Sequence, residues 1–176
     1  MIDALSIDPA TAAEQTIIAN LLQLYIHDFS ELFAGSARCD LDDDGLYRPD
    51  IPLADWWQLP GHFPLLFRVA GKLAGFALIN DHGHSGEAVD RNVAEFFIVR
   101  KYRRAGIGLA AAKAIFARWP GQWEAAVMRA NTGAWAFWDK TITGHPAAST
   151  VEARDCHDTR WDGTLFRFTI APGNVP

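Results

Sequence analysis

The spacing of apolar residues changes several times along the chain, and each change marks the boundary of a predicted element. From about residue 12 to 28, apolar residues recur every three or four positions, which predicts a helix. Thr11 and Glu14 have the spacing of a capping box, which satisfies free amides at a helix start. Residues 40–63 keep no regular spacing. The next run, PLLFRVAGKLAGFALIN, contains two apolar stretches joined near Gly71 and predicts a β-hairpin.

The second half of the chain alternates strand-like and helix-like stretches. NVAEFFIV is rich in aromatic and β-branched residues, which predicts a buried strand. From Gly106 to about Arg118 the pattern is helical and almost wholly apolar, so most of this helix is expected to be covered. WEAAVMR is predicted to be a strand and TGAWAFWDKTI a helix, and ASTVEAR and TLFRFTI are predicted to be antiparallel strands. This order predicts a single α/β (α+β) domain with a mixed, mostly antiparallel sheet.

Composition places the chain among ordinary globular proteins. Of the 176 residues, 49% are hydrophobic and 21% are charged, which is unlike a disordered chain. No apolar run approaches the roughly 18 residues of a membrane helix, and the amino terminus has no basic leader before an apolar segment. We therefore expect a cytoplasmic protein that does not bind membranes, with Cys39 and Cys156 reduced.

Charge is concentrated at two places. The formal net charge is −5, which argues against a nucleic-acid binder with a broad basic face. One segment is acidic and contains Asp40, Asp42, Asp43, Asp44, Asp50 and Asp55. Another is basic and contains Arg100, Lys101, Arg103 and Arg104.

The basic segment leads into a glycine-rich helix start, in the stretch EFFIVRKYRRAGIGLAAAKAIF. The first amides of a helix have no partner inside it, and the peptide dipoles leave partial positive charge at that end. Gly106 and Gly108 lack the β-carbons that would hold an anion away from those amides, and Arg103 and Arg104 add full charges. This combination predicts a diphosphate site rather than a solvated basic turn.

A dinucleotide site fits this stretch poorly. GIGLAA matches G-x-G-x-x-A formally, but six residues separate Val99, at the strand end, from Gly106. The acidic residue expected about 20 positions later, at the end of the next strand, is also missing, because Glu124 opens its strand. No G-K-S or G-K-T sequence is present for a Walker loop.

FFIVRKYRRAGIGLAAAKAIF resembles the central motif of the GNAT superfamily of N-acetyltransferases. The family pattern R/Q-x-x-G-x-G/A falls on Arg103, Gly106 and Gly108, and VMRANTGAWAFWDK is similar to a later family motif. The resemblance covers nearly the whole chain in element order. Its most specific match is to a bacterial subgroup of predicted acetyltransferases. It implies about six to seven strands, helices on both sheet faces and a splayed parallel strand pair.

The same resemblance implies one domain over 1–176, divided by role. Residues 1–63 would form a helical and irregular segment on the acceptor side, and 64–99 strands. Residues 100–118 would form the pyrophosphate loop and its helix, and 119–176 the remaining strands and helix.

The resemblance also implies that acetyl-CoA binds at the motif. Backbone amides from Arg104 to Gly108 would hold the pyrophosphate, and the strand from Phe97 to Val99 would pair with the pantetheine arm. Asn131 matches a position near that arm, although it is equally suited to capping the next helix. The implied cofactor residues are Phe97, Ile98, Val99, Arg103, Arg104, Ala105, Gly106, Ile107, Gly108, Leu109, Asn131, Ala134 and Phe137.

Two residues carry the predicted chemistry. Glu95 shares a strand face with Phe97 and Val99, and a carboxylate among phenylalanines should have a raised pKa, which suits a general base. The alternative is a partly exposed acid at a strand start. Trp138 occupies the position of the family's general acid, a tyrosine, and indole cannot donate a proton in this role. Three alternatives then remain for the leaving thiolate. It departs unaided or with a proton from water, another group of the protein protonates it, or turnover is slow or absent.

The acidic segment has two interpretations. DLDDDG matches the start of a calcium-binding EF-hand loop, but Ile51 replaces the glutamate required at the twelfth position. His82 and His84 lack a matching third ligand, so no metal site is predicted. The resemblance places this segment beside the acceptor cleft, where carboxylates favour a cationic amine. A solvated loop is the alternative.

The sequence thus predicts transfer of an acetyl group from acetyl-CoA to a primary amine of a small molecule or peptide, by direct attack in a ternary complex. An alternative from another functional class is a non-catalytic module that senses acyl-CoA. A third possible function is that of a nucleotide-binding oxidoreductase domain. The oligomeric state, including a homodimer, stays open.

Overall fold

The computed structural model describes residues 2–173, which form one seven-stranded sheet flanked by helices. The strands are β1 (Leu5–Pro9), β2 (Phe63–Val69), β3 (Lys72–Asn80), β4 (Arg91–Ile98), β5 (Gly121–Met128), β6 (Ala148–His157) and β7 (Asp162–Ile170). The helices are α1 (Gln15–Ser30), α2 (Asp55–Gln58), α3 (Ile107–Arg118) and α4 (Thr132–Thr143). No helix in the described range is long and apolar enough to cross a membrane.

The sheet is antiparallel except for one strand pair, which confirms the predicted fold class. Its strand order is β1-β2-β3-β4-β5-β7-β6, and only β4 and β5 run parallel. These two strands pair only where Arg91 to Val93 lie opposite Trp123 to Ala125. Beyond Val93 they separate, so β4 from Ala94 onward has no strand partner on that edge. The separation opens a cleft in the middle of the sheet.

Apolar side chains cover both faces of the sheet, as the resemblance implies. The cluster on the α1 side includes Ile18, Leu22, Leu66, Phe76, Leu78 and Phe97. The cluster on the α3 and α4 side includes Phe67, Ile98, Ile107, Phe116, Trp123, Trp138 and Phe166. Burial of apolar area on two faces provides the main driving force for folding and fixes the strand register.

The predicted first helix is present, preceded by a short 3₁₀ turn over Ala12–Glu14. The Glu14 carboxylate accepts hydrogen bonds from the Thr11 amide and hydroxyl, each at 3.0 Å, as the capping spacing predicts. The hairpin is confirmed too, since β2 and β3 pair around Ala70 and Gly71.

The expectation that α3 is covered on most of its surface holds for eight of its twelve residues, which are buried or half-buried, and fails for one face. Ile107, Ala111, Ile115 and Phe116 are buried, but Lys113, Ala114, Ala117 and Arg118 are exposed. Because alanine is small and only weakly hydrophobic, it tolerates either environment and hides the amphipathic pattern of this helix.

Candidate active site

The cleft between β4 and β5 opens into a cavity of about 660 Å³. Its walls come from α1, the segment 37–51, the middle of β4, the end of β5 and the start of α4. Tyr25, Glu95, Asn131 and Trp138 all line it. A cavity of this size accommodates a small organic ligand.

The turn after β4 presents a row of free backbone amides. A 3₁₀ turn over Arg100–Tyr102 follows the strand, and α3 begins after Gly106. The amide of Ala110 donates to the Gly106 carbonyl at 3.0 Å, which closes the first helical turn. Within residues 2–173, no protein acceptor is present for the amides of residues 104–109. Six consecutive donors at the positive end of a helix dipole fit a diphosphate well.

Backbone conformation explains a glycine at the centre of this turn. Gly106 has a φ of +78°, in the left-handed region that side chains disfavour, and Arg104 is also left-handed at +58°. Gly108 meets a different constraint, because a β-carbon there would lie 3.3 Å from the Phe137 ring and 3.6 Å from the Ile98 side chain. The two glycines therefore shape the turn and allow α3 to lie close to α4.

Arg103, predicted to bind the cofactor, also has partners within the protein. Its guanidinium pairs with Asp28 of α1, and its Nε donates to the Ile98 carbonyl at 2.7 Å. Arg100 also binds Asp28, at 2.7 Å. Desolvation raises the pKa of Asp28, but hydrogen bonds from Arg103 and Arg100 outweigh it and hold the pKa below its usual value. Arg104 and Lys101, both exposed and without an acid partner among the described residues, are cations available at the turn.

Asp28 ties α1 to the turn, so Asp28→Asn should lower stability by about 1 kcal/mol, a modest amount because both arginines are partly exposed. The expected fall in Tm is about 2–4 °C. Since the folded pKa is lowered, the difference from wild type should be full above pH 4 and shrink as the pH falls through the folded pKa. Thermal unfolding at several pH values measures this. Asp155→Asn, at a more exposed ion pair with Arg129, is the matched control and should change Tm less.

Glu95 faces the α1 side of the sheet, as strand alternation predicts. It lies opposite Leu78 in the register, and Leu78 and Phe97 belong to the cluster on that side. Desolvation raises the pKa of Glu95 to about 7. A smaller contribution from the Tyr25 hydroxyl lowers this pKa, because a hydrogen bond favours the ionised form. A carboxyl group with this pKa, at a cavity wall, can accept a proton near neutral pH.

Trp138 is a core residue with one edge at the cavity. It is buried and packs against Phe96, with ring centroids 5.2 Å apart, and against Phe137 at 4.9 Å. Asn131 caps α4, because its side chain accepts a hydrogen bond from the Ala134 amide at 3.0 Å. Since Asn131 also lines the cavity, the cap does not exclude a contact with a bound ligand.

The acidic segment forms part of the cavity wall rather than a metal loop. Asp40, Asp42 and Asp50 line the cavity, and Arg48 pairs with Asp42 at 3.2 Å. The segment of the chain that the structure describes contains no group of three or more acidic, His or Cys side chains arranged to hold a metal ion. The wall carries more carboxylates than guanidinium groups, which favours a cationic ligand.

Sequence reasoning missed four contributors to this site. Tyr25 and Asp28 lie on the predicted first helix, but their partners are about 70 residues away, and no local pattern reveals such pairs. The His84 ring packs against Trp161 with centroids 4.4 Å apart, and both side chains line the cavity. A histidine and a tryptophan in separate loops give no spacing signal.

Comparison with known proteins points to one family. The sequence model of the Acetyltransferase (GNAT) family matches residues 21–142, more than half of the chain. No curated protein matches.

Solved structures share the fold at low sequence identity. A GNAT-family acetyltransferase from Streptococcus agalactiae has a TM-score of 0.67 and 14% identity, with 95% of each chain covered. An acetyltransferase from Thermus thermophilus has a TM-score of 0.61 and 17% identity, covering 94% of this chain and 95% of that one. The PaiA N-acetyltransferase of Thermoplasma acidophilum, solved in complex with coenzyme A, has a TM-score of 0.58 and 11% identity, covering 96% of this chain and 99% of that one.

Proposed function

Because the chain belongs to the acetyltransferase (GNAT) family, we propose that it transfers an acetyl group from acetyl-CoA to a primary amine. The observation that carries this proposal is the row of free amides at residues 104–109, in the turn that follows β4, one of the two strands that border the cleft. These amides would hold the diphosphate, with Arg104 adding charge. The unpaired edge of β4 from Ala94 to Ile98 offers backbone groups to an amide-containing arm.

Glu95 is the proposed general base. An amine attacks a carbonyl only when neutral, so an ammonium acceptor must lose a proton at the site. Glu95 is well matched to this task because its pKa of about 7 keeps it substantially ionised at neutral pH while leaving it a useful proton acceptor. The carboxylates at Asp40, Asp42 and Asp50 would attract the cationic acceptor, whether a small molecule or a peptide.

Acetylation of an amine should therefore depend on pH in a defined direction. The rate constant kcat/KM should rise as the pH increases through about 7, because Glu95 must lose its own proton before it can accept one. Thiol release from acetyl-CoA with a panel of primary amines, with the acetylated product identified by mass spectrometry, measures this. Release that never exceeds hydrolysis with any amine would contradict the proposal.

A non-catalytic acyl-CoA sensor is the second candidate, favoured by Trp138 at the position where the family has a tyrosine. Such a module would bind coenzyme A and acetyl-CoA but leave both unchanged. Both candidates predict a higher Tm with acetyl-CoA, since a ligand of the folded state stabilises it. Only the enzyme produces an acetylated amine.

A further inference from the structure

A buried acid of the sheet binds the loop that connects β3 to β4. Glu124 of β5 is completely buried. Its Oε1 accepts hydrogen bonds from the backbone amides of His84 and Ser85, the second at 3.2 Å. Its Oε2 accepts a hydrogen bond at 3.2 Å from Arg167, which lies opposite Glu124 on β7. Both oxygens of the carboxylate therefore have partners within the protein, and one of them holds the loop.

Ser85 adds two further bonds to this attachment. Its side chain is buried, and its hydroxyl accepts a hydrogen bond from Arg167 at 2.6 Å. Its carbonyl accepts one from Arg160 at 3.2 Å. A buried ion pair adds little net stability, because desolvation of the two charges opposes their attraction, but its hydrogen bonds require one geometry. The main effect of the pair between Glu124 and Arg167 is therefore to fix the position of the loop.

The loop approaches Glu124 so closely that only a glycine fits at position 83. A β-carbon on Gly83 would lie 2.7 Å from Glu124 Oε1, well inside van der Waals contact. Gly83 lies outside the left-handed region of φ, so its backbone conformation alone would accept other residues. The contact with the carboxylate therefore explains this glycine, and a methyl group at position 83 would separate the loop from Glu124.

The attached loop places the His84 ring at the cavity. This ring packs on Trp161 with centroids 4.4 Å apart, and both side chains line the cavity, whereas Glu124 does not. The Trp161 indole donates to the Val127 carbonyl at 3.3 Å, which fixes the second ring. Desolvation lowers the pKa of His84, against the opposing charge of Glu124, so the imidazole is mainly neutral at pH 7 and does not repel a cation. The two rings offer flat, uncharged surface to a ligand.

We propose that His84 and Trp161 form the wall that binds the aromatic body of the amine acceptor, and that Glu124 is the positioning residue that holds this wall. The inference rests on the proposed function. Asp40 and Asp50 line the same cavity and favour the ammonium group of the acceptor. The ring surfaces favour a flat apolar group, because aromatic rings attract one another in offset and edge-on arrangements. An amine that carries a ring has a partner for each of these features.

Amines with and without a ring measure the contribution of this wall. Initial rates of acetylation should give 2-phenylethylamine a kcat/KM about tenfold above that of ethylamine, the scale of one good aromatic contact. The diamine 1,5-diaminopentane, which has a second cation in place of the ring, should also have a lower kcat/KM than 2-phenylethylamine. Trp161→Leu and His84→Ala should each reduce the preference for the ring through a higher KM for 2-phenylethylamine. The KM for acetyl-CoA should stay at its wild-type value.

Gly83→Ala tests the role of Glu124 without changing a charge or a side chain that lines the cavity. The added methyl group should move the loop, reduce the preference for the ring and leave the KM for acetyl-CoA unchanged. Proton NMR gives a readout without turnover, because the ring current of Trp161 shifts the His84 ring protons. Gly83→Ala and Trp161→Leu should both move these protons towards their positions in free histidine. Gly173→Ala is the control, since a β-carbon there would meet no atom within 4 Å.

The two proposals fail in distinguishable ways. An active enzyme that shows no preference for 2-phenylethylamine, or keeps its preference in Trp161→Leu, would overturn the aromatic wall alone. An unchanged preference in Gly83→Ala, with the His84 protons at their wild-type positions, would overturn the positioning role of Glu124. If Gly83→Ala does not fold, Glu124→Gln, which weakens the pairing with Arg167, should change both readouts in the same direction and decides instead. A wild-type protein that acetylates no amine would overturn the proposed function, whatever the His84 protons show.

Discussion

Glu95→Gln should lower the rate of acetyl transfer by about 100-fold or more, while coenzyme A still binds with wild-type affinity. The amide has the shape of the carboxylate but cannot take a proton, and loss of a general base usually costs two to four orders of magnitude. The remaining rate should lose its rise near pH 7, because the group that titrates there is gone. Single-turnover rates between pH 6 and 9 test both effects.

Stability should move in the opposite direction to activity. Because the folded pKa of Glu95 is raised, the carboxyl favours the folded state at low pH, and this contribution is lost as the pH rises from the unfolded value through about 7. The stability of Glu95→Gln relative to wild type should therefore be higher at pH 8 than at pH 4. A group that destabilises the fold at working pH is more readily explained by function than by structure.

Glu152→Gln is the matched control, since Glu152 is an exposed acid on β6, far along the sheet order from β4. It should leave the rate and its pH dependence unchanged. Full activity in Glu95→Gln, with the rise near pH 7 intact, would show that the base lies elsewhere. His84 would then be the first residue to substitute, because it lines the same cavity.

Gly106→Glu should weaken coenzyme A binding by about 100-fold or more, which corresponds to roughly 2.7 kcal/mol. A side chain at φ +78° strains the backbone, and the new β-carbon would lie 3.0 Å from the Ile2 side chain. Relief of the backbone strain would move the amides of 104–109 out of line, and the added carboxylate would repel the phosphates. Calorimetric titration with coenzyme A measures the loss.

Gly71→Glu separates strain from binding. Gly71, in the hairpin turn between β2 and β3, has a φ of +75°, and a β-carbon added there would meet no atom within 4 Å. The variant therefore carries the same substitution and a similar backbone strain at a site with no proposed role in binding. Equal losses of affinity in the two variants would indicate general destabilisation instead of a damaged anion site.

Local sequence patterns predicted the parts of the site that are built from consecutive residues. The turn around Gly106 could be found because its charges, glycines and helix start lie within a few positions of one another. The position of Glu95 followed from strand alternation. Asn131 had two open interpretations, a contact near the pantetheine arm and a helix cap. The cap could be predicted because the helix start lies next to Asn131 in the sequence.

The parts that sequence reasoning missed depend on the folded arrangement of distant segments. Arg103 was predicted from its place beside the helix start, and its ion pair with Asp28 could not be foreseen because folding brings Asp28 to it from 75 residues away. Tyr25 and Glu95 line the same cavity only because α1 packs across β4. The exposed face of α3 was not predicted because the alanines of this helix give little contrast between buried and exposed faces.

A titration followed by proton–nitrogen NMR tests the central claim most directly, because it reports on each backbone amide separately. On addition of coenzyme A to the wild-type protein, the largest shifts should fall on the amides of Arg104 to Leu109, and pantetheine, which lacks the diphosphate, should leave these amides nearly unmoved. Amides of 104–109 that stay in place while coenzyme A shifts another region would contradict the account.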